Sequence, residues 1–310
     1  MPNDVPIKLA DLPLDNARYA PRFATLALGG ITADSRKVKP GDLFVAVPGT
    51  KADGLAFVPQ AIANGAVAVM AERDVSVTGP DIATVQVDNT RRALAIAAAT
   101  FFPRQPETIV AVTGTSGKTS VAAFTREIWT ALGLPAASVG TVGVVSPKGE
   151  VYGSLTTPDP VELHRTLDGL AGEGVTHLAL EASSHGLDQY RLDGVRIAAG
   201  AFTNLSRDHL DYHPSIEAYL EAKLRLFRDL IAPGGTAVIN VDDCYAGQVL
   251  DAARKRGLKI MTVGEGGEDI KLVGGAIDGF AQMVEIAHAG HAYQVRLPLV
   301  GGFQVQNAVV

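Results

Sequence analysis

Apolar residues along this chain follow two repeating patterns, which predict alternating strands and helices. Short apolar runs such as TIVAVTG at 108–114 and THLALE at 176–181 predict buried strands. Apolar residues three and four positions apart over 118–132 predict a helix that stops at Gly133. Alternation of the two patterns predicts a doubly wound, mostly parallel sheet, which binds ligands at the C-terminal ends of its strands.

Two prolines divide this pattern into a small α/β domain and a larger central domain. Pro103 and Pro106 break the helix predicted at 90–102, so we place the boundary between 1–104 and 105–310. Earlier elements are predicted as strands at 42–47, 66–72 and 83–88 and a helix at 57–66, after a loosely structured 1–20. Later elements are predicted as strands at 138–145, 196–204, 236–242 and 258–264 and helices at 161–174, 215–231 and 245–256. Alternating residues at 269–300 predict an antiparallel extension of the sheet.

Composition narrows the class of protein. The 310 residues are 47% hydrophobic with a net charge of −6 and no basic run, which argues against nucleic-acid binding. Cys244 is the only cysteine, so no internal disulfide is available. The N-terminus lacks a signal-peptide pattern, and the longest apolar stretch, near 93–102, is too short to span a bilayer. We expect a cytoplasmic monomer without membrane insertion.

The glycine-rich segment TGTSGKTS, residues 113–120, carries the first chemical signal. It lies between a predicted strand and a predicted helix, where free N–H groups and the helix dipole attract phosphate. The usual phosphate-loop pattern is not met, because Val112 stands where its first glycine belongs. The segment still offers a lysine for outer phosphates and a hydroxyl for Mg²⁺, so ATP or GTP binding is predicted. The predicted nucleotide contacts are Gly114, Thr115, Ser116, Gly117, Lys118, Thr119 and Ser120.

Further polar residues follow later predicted strands. Glu181 ends one of them and is a candidate Mg²⁺ ligand, and the acidic and histidine-rich segment 204–215 follows another. The adjacent Ser184 and His185 do not form a nucleophile elbow, so a serine hydrolase is discounted. Lys223 lies in the apolar stripe of its predicted helix, where it either extends to solvent or is reactive because burial lowers its pKa.

Together these segments resemble the Mur ligases, the ATP-dependent enzymes that add amino acids in peptidoglycan synthesis. The resemblance rests on several motifs in the same order: DSRKVKPGDLFVAVPG, TGTSGKTS, TTPDP, EASSHGLDQYR, NLSRDHLDYH, EAKLRLF and GGFQVQN. It is strongest to the branch that adds the third residue. Two positions depart from the family pattern: Leu155 replaces a common asparagine, and Gln304 replaces the first asparagine of the last motif.

The resemblance implies a role for each matching residue. ATP would bind the phosphate loop with Asn307 near the adenine, and Mg²⁺ would be held by Thr119, Glu181, His209 and Lys223 as a carbamate. Lys118, Glu181, His209 and Lys223 would be the catalytic residues. Ser35, Thr50, Lys51 and Ala52 would hold the uridine diphosphate in a UDP-substrate domain at 1–104. The muramoyl dipeptide would contact Thr156, Thr157, Ser183, Gln189 and Arg191.

The implied reaction joins diaminopimelate or lysine to UDP-N-acetylmuramoyl-L-alanyl-D-glutamate. The substrate carboxylate attacks the γ-phosphate of ATP, and the incoming amino group displaces phosphate from the acyl phosphate. The family's C-terminal amino-acid-binding domain has no counterpart in the 310 residues, so we expect a fragment that binds the dipeptide without ligating it. Three alternatives are a folylpolyglutamate synthetase-like ligase, a nucleotide-binding module without ligase activity, and an ordinary P-loop kinase or GTPase. The last is disfavoured by the missing phosphate-loop glycine.

Overall fold

The computed structural model describes residues 6–49, 53–73, 81–153, 155–208 and 211–310. The chain forms two compact units. The first contains Met1–Arg104, Asp159–Asp168 and Gln189–Gly194, and the second contains Gln105–Pro158, Gly169–Asp188 and Val195–Val310. The first unit thus includes two short segments that come later in the sequence.

The first unit is a small parallel sheet with helices. Its elements in the described residues are β1 (Ile7–Lys8), β2 (Ala27–Leu28), β3 (Gly30–Thr32), β4 (Asp42–Val45), α1 (Val58–Ala63), β5 (Ala68–Ala71), β6 (Ala83–Gln86) and α2 (Thr90–Phe101). Strands β3, β4, β5 and β6 pair in parallel in that order. Apolar side chains alternate between the two faces of β4 and β5, and each face has its own buried cluster. The expected loose structure at 1–20 is wrong in part, because β1 pairs with β2.

The second unit is built around a long sheet. Its elements begin with β7 (Thr108–Thr113), α3 (Lys118–Ala131), β8 (Ala136–Gly140), β9 (Gly143–Ser146), β10 (Gly149–Val151) and α4 (Pro160–Gly172), which starts in the first unit. They continue with β11 (His177–Glu181), α5 (Ser184–Asp188), β12 (Ile197–Phe202), α6 (Ile216–Arg225), β13 (Ile231–Asn240), α7 (Ala246–Arg256) and β14 (Lys259–Gly264). They end with β15 (Ile270–Asp278), β16 (Ala281–His288), β17 (His291–Leu297) and α8 (Gly302–Val309).

The sheet order confirms the predicted fold class. Over the described residues the strands lie in the order β10-β9-β8-β11-β7-β12-β13-β14-β15-β16-β17. Neighbours from β8 to β15 are parallel, while β9 with β10 and β16 with β17 add antiparallel edges. Strand β7 lies between β11 and β12, which come later in the chain, so the loops after these three strands meet at one edge.

Two predicted elements differ from the structure. The strand expected at 138–145 is a hairpin, in which Thr141 and Val142 turn between β8 and β9 and Gly143 has φ +92°. An apolar turn residue between two glycines hides such a turn inside a strand-like pattern. The helix expected at 215–231 ends as α6 and continues as a π-helical turn over Leu226–Leu230, before β13 begins at Ile231. Within the described ranges, no helix has both the length and the apolar character needed to cross a membrane.

Candidate active site

The glycine-rich loop joins the central strand β7 to α3. Gly114 has φ +151° and Gly117 has φ +90°, backbone conformations that favour glycine. A Cβ on Gly114 would overlap Oγ1 of Thr203, and one on Gly117 would overlap Oδ1 of Asn307. Helix α3 starts at Lys118, so its first N–H groups lack partners within the helix and face the loop. The loop therefore combines close backbone packing with a positive helix end, as a phosphate site requires.

Residues after β12 fix the conformation of this loop. The Asn204 side chain pairs with the Ser116 peptide on both sides, accepting from its N–H at 3.0 Å and donating to its carbonyl at 3.2 Å. Thr203 Oγ1 also donates to the Ser116 carbonyl, at 2.7 Å. The Thr115 N–H donates to the Asn204 carbonyl at 2.9 Å. The N–H groups of Ser116 and Thr115 already donate to Asn204. The N–H groups nearer Lys118 are therefore the ones available to a phosphate.

Two lysines, the half-buried Lys118 and the buried Lys223, converge on one carbonyl of the loop. Lys118 Nζ donates to the carbonyls of Gly114 at 3.0 Å and Thr115 at 2.9 Å. Lys223 Nζ donates to the same Gly114 carbonyl at 2.7 Å and lies 4.3 Å from the ring centre of Tyr219. Lys223 is 1% exposed, so the interpretation in which it extends to solvent is wrong. The Gly114 carbonyl and the Tyr219 ring hold Lys223 in the pocket.

The two lysines have lowered pKa values for related reasons. Burial lowers the pKa of the Lys118 amine, and the charges of Glu181 and Asp208 partly oppose that shift. Burial also moves the pKa of Lys223 well below its ordinary value, and the positive charge of Lys118 lowers it further. The neutral form of the Lys223 amine is therefore favoured more than it is on a surface lysine.

Glu181 presents its carboxylate at the end of β11. It is 1% exposed, and its Oε1 accepts the backbone N–H of Thr141 at 2.9 Å while its Oε2 accepts the Thr141 hydroxyl at 3.1 Å. A Cβ on Gly140 would overlap Oε1, so the glycine lets the carboxylate pack against the β8 strand end. The turn missed in the sequence is thus what orients the candidate metal ligand.

The hydroxyl residues after β10 have two different environments. Thr157 is 1% exposed, donates to the Glu181 carbonyl at 2.8 Å and accepts from the backbone and hydroxyl of Ser183, both at 3.0 Å. Those bonds occupy its hydrogen-bonding positions, which indicates a supporting role for Thr157. Thr156 is half-buried, and its hydroxyl lies 3.1 Å from that of Thr141. Thr156 is therefore the better placed of the two for a ligand.

These groups line one cavity of about 250 Å³. Among the residues predicted from sequence, it brings together Thr115, Gly117, Lys118, Thr119, Thr156, Glu181, Ser183 and Lys223. It also contains three that sequence reasoning missed as site residues: Thr141, Ser184 and Tyr219. Tyr219 stands four positions before Lys223, so it lies on the same helix face, and that spacing could have identified it. Across the described ranges no group of three or more His, Cys, Asp or Glu side chains could hold a metal ion.

The cavity does not account for every predicted residue. Thr50, Lys51, Ala52 and His209 fall outside the described residues. Gln189 and Arg191 belong to the first unit, where Arg191 Nη2 donates to Gln189 Oε1 at 2.7 Å.

Ser35, also in the first unit, is only 6% exposed. Its hydroxyl donates to Gln60 Oε1 at 2.7 Å. The Ser35 proton is thus already committed to a neighbouring side chain.

The first unit has a larger cleft of about 990 Å³ beside Ser35. Its lining follows β3 and the turn after it, with contributions from α2 and from the start of α4. Arg36 pairs with Asp34 at 2.8 Å and Arg165 with Glu162 at 2.7 Å, and the Arg165 guanidinium lies 5.1 Å from the Phe102 ring centre. The cleft thus offers guanidinium groups, an aromatic ring and strand-edge backbone to a ligand.

Comparison with known proteins gives a consistent family. A family model described as the Mur ligase middle domain matches residues 112–310, and one described as the Mur ligase family catalytic domain matches residues 28–102. The chain is 58% identical over 308 residues to the UDP-N-acetylmuramoyl-L-alanyl-D-glutamate–2,6-diaminopimelate ligase of Bradyrhizobium diazoefficiens. It is 52% identical over 304 residues to the ligase of the same name from Brucella melitensis.

These matches cover 98% of this chain but only 63% and 62% of the two relatives. A solved structure of a ligase of that name superposes with a TM-score of 0.85 at 30% identity. That superposition covers 98% of this chain and 62% of the other. The chain thus spans about three fifths of the length of the proteins that it matches.

Proposed function

Because the chain belongs to the Mur ligase family, we propose that it carries ATP- and substrate-binding parts of a UDP-N-acetylmuramoyl-L-alanyl-D-glutamate–2,6-diaminopimelate ligase. The observation that carries the proposal is the convergence of Lys118, Glu181 and Lys223 on one cavity beside the glycine-rich loop. The relatives' names supply the substrate and diaminopimelate, rather than lysine, as the amino acid. In this proposal residues 105–310 bind ATP and residues 1–104 bind the UDP end.

The phosphate loop fits a nucleoside triphosphate. Its two glycines let the backbone approach closely, and Lys118 is held by loop carbonyls that a phosphate oxygen can replace as its partner. The backbone N–H groups of Lys118, Thr119 and Ser120 start α3 and can donate to phosphate. Asn307 of α8 packs against Gly117, which supports its proposed place near the nucleotide.

The donor set also fits Mg²⁺, which prefers oxygen ligands. Glu181 has a buried carboxylate, Thr119 contributes a hydroxyl to the same cavity, and Lys223 as a carbamate would add two oxygens. A bound Mg²⁺ would neutralise charge on the phosphates. His209 is proposed as a further ligand on the resemblance alone.

The carbamate proposal rests on the surroundings of Lys223. The amine is buried beside a second lysine, and its only described hydrogen bond is to the Gly114 carbonyl. An unmodified ammonium there would repel a divalent cation held by Glu181. A neutral amine can add CO₂ and release one proton to solvent, which leaves a carbamate anion and removes that repulsion.

The reaction needs positioned groups more than a protein nucleophile. The carboxylate of the bound dipeptide would attack the γ-phosphate, with Lys118 stabilising the charge that develops on the transferred oxygens. Thr156 and Ser183 line the cavity in which the dipeptide would lie. The diaminopimelate amine would then displace phosphate and form the amide. Thr157, Gln189 and Arg191 remain proposed substrate contacts, with Thr157 acting through its support of Ser183.

The UDP end is assigned to the first unit. Its cleft of about 990 Å³ is larger than the cavity at the phosphate loop and suits a nucleotide sugar. Ser35, Thr50, Lys51 and Ala52 are the proposed contacts. Both proposed nucleotides are cytoplasmic metabolites, so the cytoplasm is the proposed location. The monomeric state stays a prediction.

Calorimetry with two ligands tests this function. We expect the protein to bind UDP-N-acetylmuramoyl-L-alanyl-D-glutamate and an ATP analogue with Mg²⁺, and not folylglutamate. We expect the whole protein that carries this sequence to form the diaminopimelate amide, detected by mass spectrometry. Binding of folylglutamate in place of the UDP ligand, or binding of neither, would reject the proposal.

A further inference from the structure

A chain of three oxygens crosses the cavity from the candidate metal ligand to the candidate substrate loop. Glu181 Oε2 lies 3.1 Å from the Thr141 hydroxyl, and that hydroxyl lies 3.1 Å from the hydroxyl of Thr156. All three residues line the same cavity. Thr141 is thus the only described hydroxyl that bonds both groups.

The hydrogen bonds in this chain have a fixed direction. A hydroxyl carries one proton, and an ionised carboxylate can only accept. Thr141 must therefore give its proton to Glu181, so the proton between the two threonines comes from Thr156. With its proton committed, the Thr156 hydroxyl offers the rest of the cavity only lone pairs.

The backbone of the turn holds Thr141 against the Glu181 carboxylate. Thr141 occupies the two-residue turn between Gly140 of β8 and Gly143 of β9, and its own N–H donates to Glu181 Oε1 at 2.9 Å. The carboxylate is therefore gripped at both oxygens by one residue. Because the Thr141 hydroxyl is bonded both to this carboxylate and to the Thr156 hydroxyl, a shift of the carboxylate also disturbs the hydrogen bond of Thr156.

We propose that Thr141 is a positioning residue that sets Glu181 and makes Thr156 an acceptor for a ligand N–H. The proposal rests on the proposed function for the identity of the ligand, whose peptide part carries amide N–H groups. It assigns to Thr156 recognition of an amide rather than of a carboxylate or phosphate oxygen, since those groups offer no proton.

Two substitutions at Thr141 separate the hydroxyl from the turn. Thr141→Val keeps the shape and the backbone N–H but removes the hydroxyl, and Thr141→Ser keeps the hydroxyl. By calorimetry we expect Thr141→Val to weaken binding of the UDP-muramoyl dipeptide about fivefold to tenfold, the effect of one hydrogen bond. Thr141→Ser should restore affinity to within about twofold. Binding of UDP-N-acetylglucosamine, which lacks the peptide, should not change in either variant.

A modified ligand tests the direction itself. A depsipeptide analogue, in which an ester replaces the amide N–H, should bind the unaltered protein about tenfold more weakly than the natural ligand. In Thr156→Val the two ligands should bind alike, and adding Thr141→Val to Thr156→Val should cause no further loss. Equal binding of both ligands by the unaltered protein, or additive losses in the double variant, would overturn the proposal.

A structural readout keeps this test separate from the proposed function. If the unaltered protein does not bind the UDP-muramoyl dipeptide, the proposed function fails, and the positioning role is judged from crystal structures of Thr141→Val and Thr141→Ser. We expect the Glu181 carboxylate and the Thr156 side chain to change rotamer together in Thr141→Val and to keep their places in Thr141→Ser. Unmoved Glu181 and Thr156 in Thr141→Val would overturn the positioning role. If Thr141→Val does not fold, Thr141→Ala replaces it, with thermal melting as the check.

Discussion

The two cavities of this protein differ in how their polar groups are engaged. In the second unit the cavity of about 250 Å³ is small, and Lys223 and Glu181 bond to residues 109 and 40 positions away in the chain, while Lys118 bonds to nearby loop carbonyls. In the first unit the cleft of about 990 Å³ is larger, and its Arg36 and Arg165 pair with carboxylates two and three positions away. The first arrangement holds groups in fixed positions, whereas the second leaves them adaptable.

This difference suits the two tasks proposed for the cavities. Phosphoryl transfer needs preorganised charges, because groups that must reorient at the moment of reaction contribute less. Recognition of a nucleotide sugar needs area and a few oriented contacts. Substitutions in the small cavity should therefore have large effects on nucleotide binding, and those in the larger cleft should have modest effects on ligand affinity.

The largest effect on nucleotide binding is expected from Gly114→Ala. The new Cβ would overlap Thr203 Oγ1 in a backbone conformation with φ +151°, so the loop must leave its phosphate-binding shape. Strain of about 3 kcal/mol corresponds to roughly a 100-fold loss of ATP affinity, measured by calorimetry.

Gly133→Ala is its matched control. Gly133 also has a positive φ, of +77°, but no atom lies within 4 Å of its would-be Cβ. It should lose about 1 kcal/mol of stability with unchanged ATP affinity. Equal ATP binding in the two variants would mean that the close approach of Thr203 to the loop is not needed.

The largest effect on turnover is expected at Lys223. Bicarbonate labelled with ¹³C should give a carbamate carbon signal in the NMR spectrum of the unaltered protein, and Lys223→Arg should lack it. The arginine keeps a cation but cannot form a carbamate under these conditions. We expect Lys223→Ala to lower turnover of the whole protein about 10²- to 10³-fold, as for removal of one charge-stabilising group, and added short carboxylic acids to restore part of it. A Lys223→Ala variant of normal activity would contradict the assignment.

Much of the small cavity could be predicted because its chemistry is local in sequence. The strand, glycine-rich turn and helix around Lys118 follow one another directly, and Glu181 ends its strand as expected. Lys223 was found because a lysine in an apolar helical stripe is unusual. These signals need only the neighbouring residues.

The features that the sequence could not predict depend on contacts between distant residues or on burial. Asn204 was noted only as a polar strand end, yet its amide pairs with the peptide of Ser116, 88 positions earlier. Thr141 was hidden in an apolar run that looked like a single strand. Thr157 and Ser35 were predicted as ligand contacts, but their hydroxyls are buried and bonded within the protein. A motif identifies the residue type. Only the fold shows which acceptor its hydroxyl already donates to.

In the first unit a smaller effect is expected for Ser35→Ala. The change leaves Gln60 Oε1 without the proton that it accepts at 2.7 Å, which costs about 1 kcal/mol of unfolding free energy. If Ser35 also contacts the UDP ligand, UDP-N-acetylglucosamine affinity should fall about fivefold. Gln60→Leu is the control, since it breaks the same bond and keeps the serine. Equal loss of affinity in both variants would assign Ser35 a supporting role alone.

The smallest effect concerns the pH dependence of stability through His164 in the first unit. Burial lowers the pKa of the His164 imidazole, and the hydrogen bond to the Asp193 carbonyl, at 3.0 Å, opposes that shift only in part. The ring is fully buried, with the Nδ1 atom unpaired among the described residues, so protonation places an uncompensated charge in the interior.

Because its folded-state pKa lies below the unfolded value of about 6.5, the unfolded chain binds more protons at lower pH. The stabilising contribution is therefore complete above about pH 6.5 and is lost as the pH falls towards the folded-state pKa. Urea unfolding between about pH 7.5 and 5.5 should show a decline that is shallower in His164→Gln, whose amide can still donate to the Asp193 carbonyl. The other histidines are common to both proteins, so they cancel in the difference. Parallel curves for the two proteins would show that His164 does not titrate in this range, and the contrast between the two units would then rest on their ligand sites alone.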